Sequence, residues 1–343
     1  MKHMLFAAMM MTAALVGRAE GDVDGFERVH ILEEATSTGC SFCPRGIVTM
    51  AYIHDTYPDH VITVAYHMHM GDAVDPMRSE TAAAFTRYYP TGLPYAIIDR
   101  KTDTRLGSYI DPVEARENIG ALCESLAGDR AIAGIVLEAA LTDPGSLAEA
   151  TAKATVTFAD DMTDSEMYQL SFLLVEDGVG PYEQDNRGYS HSVYDCDGWE
   201  ARGRKPSVEH NHVVRELYGF PGIEGSVPAG MKKGESHTFT QSVSLASVED
   251  DTETVRIVAL LSDTRTREVI NARAVDLQLR EPAEQPEQPE QPEDPDAAIN
   301  VVEGVSAPAT AWYSLQGIPL DRPESGTVCI RVDGSKAVKV VVR

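Results

Sequence analysis

The chain has 343 residues, 43% of them hydrophobic, which is ordinary for a globular protein and leaves room for two or three domains. Acidic residues outnumber basic ones by 54 to 29, so the formal net charge at pH 7 is −25. A surface of this charge repels phosphate backbones, and the composition therefore argues against nucleic acid as a partner.

Residues 1–19 have the three-part layout of a secretory signal peptide. The segment starts with the basic Lys2, continues with an apolar run from Met4 to Val16, and ends with the small residues Gly17 and Ala19. The apolar run is shorter than the ~20 residues that a membrane-spanning helix needs. We therefore expect an exported chain that resides in the periplasm, at the outer membrane or on the cell surface.

Residues 26–128 alternate between strand and helix patterns. The predicted strands are RVHILEEAT, HVITVAYH and YAIID. A helix, PRGIVTMAYIHDTY, follows the first strand, and two more begin at Asp75-Pro76 and Asp111-Pro112, where an N-cap residue precedes a first-turn proline. This alternation predicts an α/β domain whose mainly parallel sheet is covered by helices on both faces.

A Cys-Ser-Phe-Cys motif lies between the first predicted strand and the first helix. Cys40 is expected over the helix N-terminus, where unpaired N–H groups and the helix dipole favour a thiolate, and Arg45 adds positive charge nearby. Cys43 lies one turn away and can close a disulfide. The spacing thus predicts Cys40 as a nucleophile and Cys43 as its resolving partner.

The same cysteine pair could instead be half of a metal site. The sequence offers no second pair, so a soft metal would have to recruit His67 or His69, which share one face of a predicted strand end. The alternative is that these histidines form a polar strand end. The remaining cysteines, Cys123, Cys196 and Cys329, fall in three separate regions and are expected to pack as small apolar side chains.

Residues 130–280 contain only strand patterns. Seven alternating segments separated by turns predict an antiparallel β-sandwich of the immunoglobulin-like kind. A long insertion, residues 178–209, interrupts them and is either a functional loop or a surface decoration. His210 and His212 follow the insertion on a strand, where a surface or loop-anchoring role is expected.

Residues 281–296 form a clear boundary, because Gln-Pro-Glu repeats three times there. Proline at every third residue forbids helices and sheet ladders, so an extended, disordered linker is predicted. The tail, residues 297–343, has three short strand-like runs and is long enough only for a small sheet. Such a piece is expected to serve as an address tag or docking element.

The order of motifs in residues 26–128 resembles the thioredoxin superfamily. The resemblance implies that Pro94 in GLPY is a cis-proline facing the cysteines, and that the Leu93 backbone pairs with a substrate chain. It also implies that Glu34, six residues before Cys40, is the buried acid that takes a proton from the resolving thiol. Phe42 and Arg45 are then expected to contact substrate. Two departures are Gly39 in place of the usual tryptophan and an unfamiliar Ser-Phe dipeptide.

More narrowly, the chain resembles the Omp28-related outer membrane proteins of Bacteroidetes. The resemblance rests on LEEATSTGCSFCPRG, GLPYAIIDR, HNHVVRELYG and EVINARAVDL, which span about Arg28 to Leu279. It implies association with the outer membrane. The tail is similar to the C-terminal sorting segment of exported proteins in that phylum, with a Tyr-x-Leu-x-Gly run and a basic strand end.

Two functions follow from these patterns, and neither requires a cofactor. In the first, the chain is an exported thiol-disulfide oxidoreductase that acts on the thiols or disulfides of other exported proteins, with Cys40 attacking and Cys43 releasing the product. In the second, it is a non-catalytic outer-membrane or surface binding module whose cysteine pair is a structural disulfide. Metal handling through Cys40, Cys43 and the nearby histidines is a third hypothesis.

Overall fold

The computed structural model describes residues 25–89, 92–103, 109–249 and 252–280, together with four short strands after residue 310. The chain divides into two compact units, Met1–Ala283 and Glu284–Arg343. The predicted signal peptide (1–19) and the predicted linker (281–296) lie outside the described residues. Among the described helices, none has the length and apolar character needed to cross a membrane.

The first unit is built around one eight-stranded mixed sheet with the order β15-β14-β9-β12-β3-β2-β4-β5. A three-stranded sheet, β13-β8-β7, and two-stranded pairings of β1 with β6 and of β10 with β11 accompany it. The strands are β1 (Phe26–Glu27), β2 (His30–Thr36), β3 (Val61–His67), β4 (Tyr95–Ile98), β5 (Thr102–Asp103), β6 (Arg130–Ala131), β7 (Ala133–Asp143), β8 (Ser146–Phe158), β9 (Tyr168–Glu176), β10 (Val179–Glu183), β11 (Ser207–His210), β12 (Val213–Tyr218), β13 (Ser236–Ser244), β14 (Thr254–Asp263) and β15 (Val269–Gln278). The helices are α1 (Pro44–Thr56), α2 (Ala83–Thr86) and α3 (Pro112–Ser125).

The predicted fold class, an α/β thioredoxin-like domain followed by a separate immunoglobulin-like sandwich, is wrong. The structure is mostly β-sheet, with 42% strand and 15% helix. The strands of residues 26–128 do not close a sheet of their own, because β3 pairs in parallel with β12, with Ala65 opposite Val213. Strands β12, β9, β14 and β15 then continue the same sheet.

The apolar cores show the same continuity. One face of the large sheet carries a single cluster that runs from Ile31 and Tyr66 on β2 and β3 to Leu173 and Leu260 on β9 and β14. Burial of apolar surface is the main favourable term in folding, so this shared cluster binds both halves of the sheet into one unit.

The opposite face of the large sheet is covered in two parts. Helices α1 and α3 cover one end, where Met50 and Ile119 pack with Leu32 of β2. The three-stranded sheet covers the other end, where Val156 of β8 and Phe172 of β9 belong to one core cluster. The seven predicted strands of residues 130–280 thus exist, but four of them belong to the large sheet.

One predicted helix is largely absent. Asp111 does cap α3, with its carboxylate accepting from the Val113 N–H at 2.9 Å. Asp75 instead begins a series of turns, and only residues 83–86 become helical as α2. Asp75 accepts from the Met77 N–H at 2.9 Å, the same bond that Asp111 makes to Val113, but its other carboxylate oxygen accepts from the Thr38 N–H and lies 3.0 Å from His67 Nδ1. These contacts hold Asp75 in a loop.

The second unit contains a four-stranded antiparallel sheet with the order β17-β16-β18-β19. Three of these strands fall in the strand-like runs that the sequence predicts. The strands are β16 (Ala311–Tyr313), β17 (Pro319–Leu320), β18 (Val328–Asp333) and β19 (Lys336–Val341). The sorting role of this segment stays a prediction.

Candidate functional site

The Cys-Ser-Phe-Cys motif forms a disulfide at the start of α1. Cys40 and Cys43 are joined, with their Cα atoms 5.3 Å apart, and Pro44 begins the helix immediately afterwards. Cys40 is 2% exposed and Cys43 is fully buried. Because the two sulfurs are bonded to each other, they are not available as metal ligands in this state.

The 178–209 insertion lies directly over the disulfide. Its Asp185 N–H donates to the Thr38 carbonyl at 2.7 Å, and its Gly188 N–H donates to the Ser41 carbonyl at 3.1 Å. The Gln184 side chain donates to the carbonyls of Ser37 (3.2 Å) and Cys40 (3.0 Å). The insertion therefore satisfies backbone groups on both sides of Cys40, and these bonds keep the disulfide covered.

Close packing reinforces this cover. A Cβ atom on Gly188 would lie 2.5 Å from the Ser41 carbonyl oxygen, so only glycine allows the insertion to approach this far. Tyr189 packs edge-on against Phe42 with ring centroids 6.0 Å apart. Tyr189 also belongs to a small buried cluster with Trp199 of the insertion and Val48 of α1.

Arg45 and Phe42, the predicted substrate contacts, are engaged with the insertion. The Arg45 guanidinium is buried, lies 5.6 Å from the Phe42 ring centroid, and donates to the Tyr189 hydroxyl at 3.4 Å. Phe42 is 44% exposed. Of the residues between and beside the cysteines, Phe42 is therefore the one that presents apolar surface to solvent.

Glu34 lies beneath the start of α1, and the proton-accepting role that the resemblance implies stays a prediction. A Cβ on Gly46 would overlap the Glu34 carboxylate and would lie 3.3 Å from Pro94 Cβ, so Glu34, Gly46 and Pro94 meet closely. The Leu93–Pro94 peptide bond is cis, and Leu93 is half-buried. Burial raises the pKa of Glu34 to about 8, while the nearby Arg45 acts in the opposite direction.

The neighbouring Glu33 points to the opposite face of β2, because successive residues of a strand alternate between its faces. Its carboxylate accepts from the Arg100 guanidinium at 2.9 and 3.0 Å and from the Tyr66 hydroxyl at 2.8 Å. Both charged side chains are completely buried. This ion pair stabilises the sheet. Within the described residues, no hydrogen bond connects it to the disulfide.

Asp75 connects the histidine-bearing loop to the cysteine loop. One carboxylate oxygen accepts from the Thr38 N–H at 2.7 Å and lies 3.0 Å from His67 Nδ1. The Asp75 N–H donates to His69 Nδ1 at 3.0 Å. His67 and His69 thus hold a loop in place, and no group of three or more potential metal ligands occurs among the residues that the structure describes.

His210 and His212 are buried where the insertion rejoins the sheet. Desolvation lowers the pKa of each imidazole to about 4. The His210 ring lies 5.4 Å from the His67 ring, and the His212 ring lies 4.8 Å from the His54 ring. Both rings are therefore neutral at pH 7 and pack against histidines of β3 and α1, and the anchoring role stays a prediction.

An open groove of about 1160 Å³ runs beside the disulfide, between the loop after β3 and the insertion. Its apolar wall comes from Met70, Ala73, Val74 and Pro76. The opposite wall carries charged residues of the insertion, both basic and acidic. They are Glu183, Asp185, Arg187, Arg204 and Lys205.

Cys123 and Cys196 are inert packing residues. Both are free and buried, and desolvation raises the pKa of each thiol to about 12. Sequence reasoning missed Gln184, Gly188 and Tyr189 altogether. The length of the insertion was the single signal that could have pointed to them.

Comparison with protein families decides the identity of the chain. The family model described as outer membrane protein Omp28 matches residues 81–280, more than half of the chain. The chain belongs to the Omp28 outer membrane protein family. It is accordingly an exported protein of the outer membrane or cell surface. Comparison with the curated proteins gives no match.

Two solved structures resemble this Omp28-family chain. HBP35 of Porphyromonas gingivalis has a TM-score of 0.52 and 15% sequence identity over 93% of this chain and 99% of its own. Protein AGR_C_4864 from Agrobacterium tumefaciens has a TM-score of 0.41 and 11% identity over 73% of this chain and 95% of its own. At this identity, the likeness to HBP35 concerns the fold alone.

Proposed function

We propose that this Omp28-family chain is a non-catalytic binding module of the outer membrane or cell surface, in which Cys40–Cys43 is a structural disulfide. The observation that carries the proposal is the state of the disulfide: both cysteines are buried, the 178–209 insertion hydrogen-bonds the backbone on both sides of Cys40, and an open groove lies beside them.

Burial of the disulfide argues against turnover of substrate disulfides. Thiol–disulfide exchange needs access of a thiolate to one sulfur, and exchange rates fall when that sulfur is shielded. Here Cys40 is 2% exposed, and Gln184 and Gly188 hold the insertion above it. A disulfide across so short a loop contributes about 2 kcal/mol by constraining the unfolded chain. That contribution keeps the loop before α1 in the form that the insertion binds.

The groove fits an extended peptide that carries apolar and acidic side chains. Its apolar wall offers Val74, which is 75% exposed, and Met70. On the other wall Arg187 is paired with Asp185, and Lys205 lies 3.8 Å from Glu183. Arg204 forms no ion pair with any residue in the described parts of the chain. This basic surplus on a chain of net charge −25 favours an acidic ligand, and other exported proteins are the proposed source.

Substitutions in the groove test this proposal. We expect the purified chain to bind immobilised extended peptides with mixed apolar and acidic side chains, and to bind basic counterparts at least about tenfold more weakly. Val74→Glu should abolish the binding, since it places a carboxylate on the apolar wall. The matched control is Val136→Glu on β7, a 64% exposed valine outside the groove, which should bind as the wild type does. Equal loss in both variants, or no preference for acidic peptides, would refute the proposed ligand.

A further inference from the structure

Strand β13 forms a free sheet edge within the described part of the chain. It is the outer strand of the three-stranded sheet and, among the described strands, it pairs with β8 alone. The pairing runs without a register shift from Ser236 opposite Thr157 to Ser244 opposite Glu149. Exposed edges of this kind are usually blunted by charged residues, prolines or bulges. The β13 sequence, SHTFTQSVS, contains none of these.

The hydrogen bonds at the C-terminal end of β13 show which of its backbone N–H and C=O groups point away from β8. The Leu245 N–H donates to the Ala148 carbonyl on the β8 side, whereas the Ser244 N–H donates to the Tyr218 hydroxyl at 2.8 Å. Alternate residues of an antiparallel strand point their N–H and C=O groups to opposite sides. Ser236, Thr238, Thr240 and Ser242 therefore direct these groups away from β8, and Tyr218 closes the edge at Ser244.

We propose that two copies of this chain pair edge to edge through β13, antiparallel, with Phe239 of one copy opposite Phe239 of the other. In this register Thr238 faces Thr240 of the second copy, and Ser236 faces Ser242. These four residues carry the outward groups that Tyr218 leaves open. The Ser242 carbonyl also accepts from the Gln241 side chain at 2.5 Å and keeps a second lone pair, so the four residues can make about eight hydrogen bonds across the two-fold axis. A register centred on Thr240 would require the Ser244 N–H, which Tyr218 already engages.

The side chains on both faces suit this register. Phe239 is half-buried and stacks with Phe172 at 6.3 Å, so its partner across the axis would cover the ring that the edge leaves open. Directly opposite aromatic residues stabilise antiparallel pairs. On the outer face, the Thr155–Thr238 and Thr157–Ser236 hydroxyl contacts (2.8 and 2.7 Å) would continue into the second copy.

Electrostatics favours this edge over other surfaces for self-association. The chain carries 54 acidic residues and a net charge of −25, so two copies repel each other across most of their surfaces. Strand β13 has no carboxylate and no amine side chain among its nine residues. Two copies can therefore approach along this edge without placing like charges opposite each other.

The oligomeric state of the full chain tests the proposal. Light scattering over a wide range of concentrations should show a dimer. Thr240→Pro removes one outward N–H and leaves the β8 ladder intact, so it should weaken the dimer at least about tenfold. Thr240→Val retains that N–H and should stay dimeric. If Thr240→Pro fails to fold, Thr238→Pro removes the neighbouring outward N–H and gives the same test, with Thr238→Val as its control.

Cysteine cross-linking tests the register separately. Chains with Thr238→Cys and chains with Thr240→Cys should form a disulfide-linked dimer when they are mixed, and neither should link to itself. A wild type that is monomeric at every concentration, or a Thr240→Pro variant that dimerises equally well, would overturn the proposal. Self-linking of Thr240→Cys would overturn the register centred on Phe239.

Discussion

Glu34→Gln should raise the free energy of unfolding at pH 8 by about 3 kcal/mol, whereas Glu33→Gln, the same change one residue earlier, should lower it by about 3 to 5 kcal/mol. The two glutamates are adjacent on β2 and both are buried. They differ in their partners, because Glu33 accepts hydrogen bonds from Arg100 and Tyr66, while Glu34 Oε1 accepts none from the described residues.

The sign for Glu34 follows from its raised pKa. Burial moves this pKa from 4.5 in the unfolded chain to about 8 in the folded chain, so folding favours the protonated acid. The folded state carries no penalty below pH 4.5, and the penalty grows as the pH rises towards 8. Glutamine does not ionise, and the variant therefore loses this part of the pH dependence.

For Glu33 the loss of charge is harmful. Glutamine leaves the Arg100 guanidinium without its carboxylate at a completely buried site, and breaking one half of a buried pair is strongly destabilising. Guanidinium unfolding of both variants and the wild type at pH 5 and pH 8 provides the measurement. A Glu34→Gln variant with the same pH dependence as the wild type would contradict the assignment of the burial penalty to Glu34.

Acid should loosen the insertion through His210 and His212. The pKa of each imidazole falls from 6.5 in the unfolded chain to about 4 in the folded chain, because burial disfavours the charged ring. Folding thus favours neutral histidine, and the stabilisation is complete above pH 6.5 and is lost as the pH falls towards 4. Between pH 7 and pH 5 we expect a loss of about 2 kcal/mol for each histidine.

Equilibrium unfolding at pH 7 and pH 5 measures this loss. The variants His210→Gln and His212→Gln should each lose less unfolding free energy between pH 7 and pH 5 than the wild type does. In the double variant the two reductions should add. His210 ends β11 opposite Val179 of β10, so the insertion should open first. If the double variant loses as much unfolding free energy between pH 7 and pH 5 as the wild type, other groups control acid unfolding.

Local structure was largely predictable from the sequence. Alternating patterns predicted the strands of residues 130–280, and the Asp111-Pro112 pair predicted α3. Asp75-Pro76 misled because the Asp75 carboxylate bonds Thr38 and His67, contacts that a helix-cap pattern cannot reveal.

Pairings between distant segments could not be predicted. The fold class depends on β3 pairing with β12, which joins Ala65 to Val213, and hydrophobic periodicity contains no information about such partners. The candidate site has the same limit: Cys40 and Cys43 were found by their motif, but their burial depends on Gln184 and Gly188, about 140 residues away. The same local sequence can form an exposed redox pair or a covered structural disulfide, so the motif alone cannot distinguish the two.

The rate at which a mild reductant opens Cys40–Cys43 in the folded chain, followed by thiol tagging and mass spectrometry, tests the central claim most directly. The wild type should stay oxidised until it unfolds. Gly188→Ala pushes the insertion away from Ser41 and should speed reduction by about tenfold or more, whereas Gly203→Ala, a control in the same insertion with open space around it, should not. Rapid reduction of the folded wild type, with mixed disulfides accumulating in Cys43→Ser, would contradict the claim and support the oxidoreductase hypothesis.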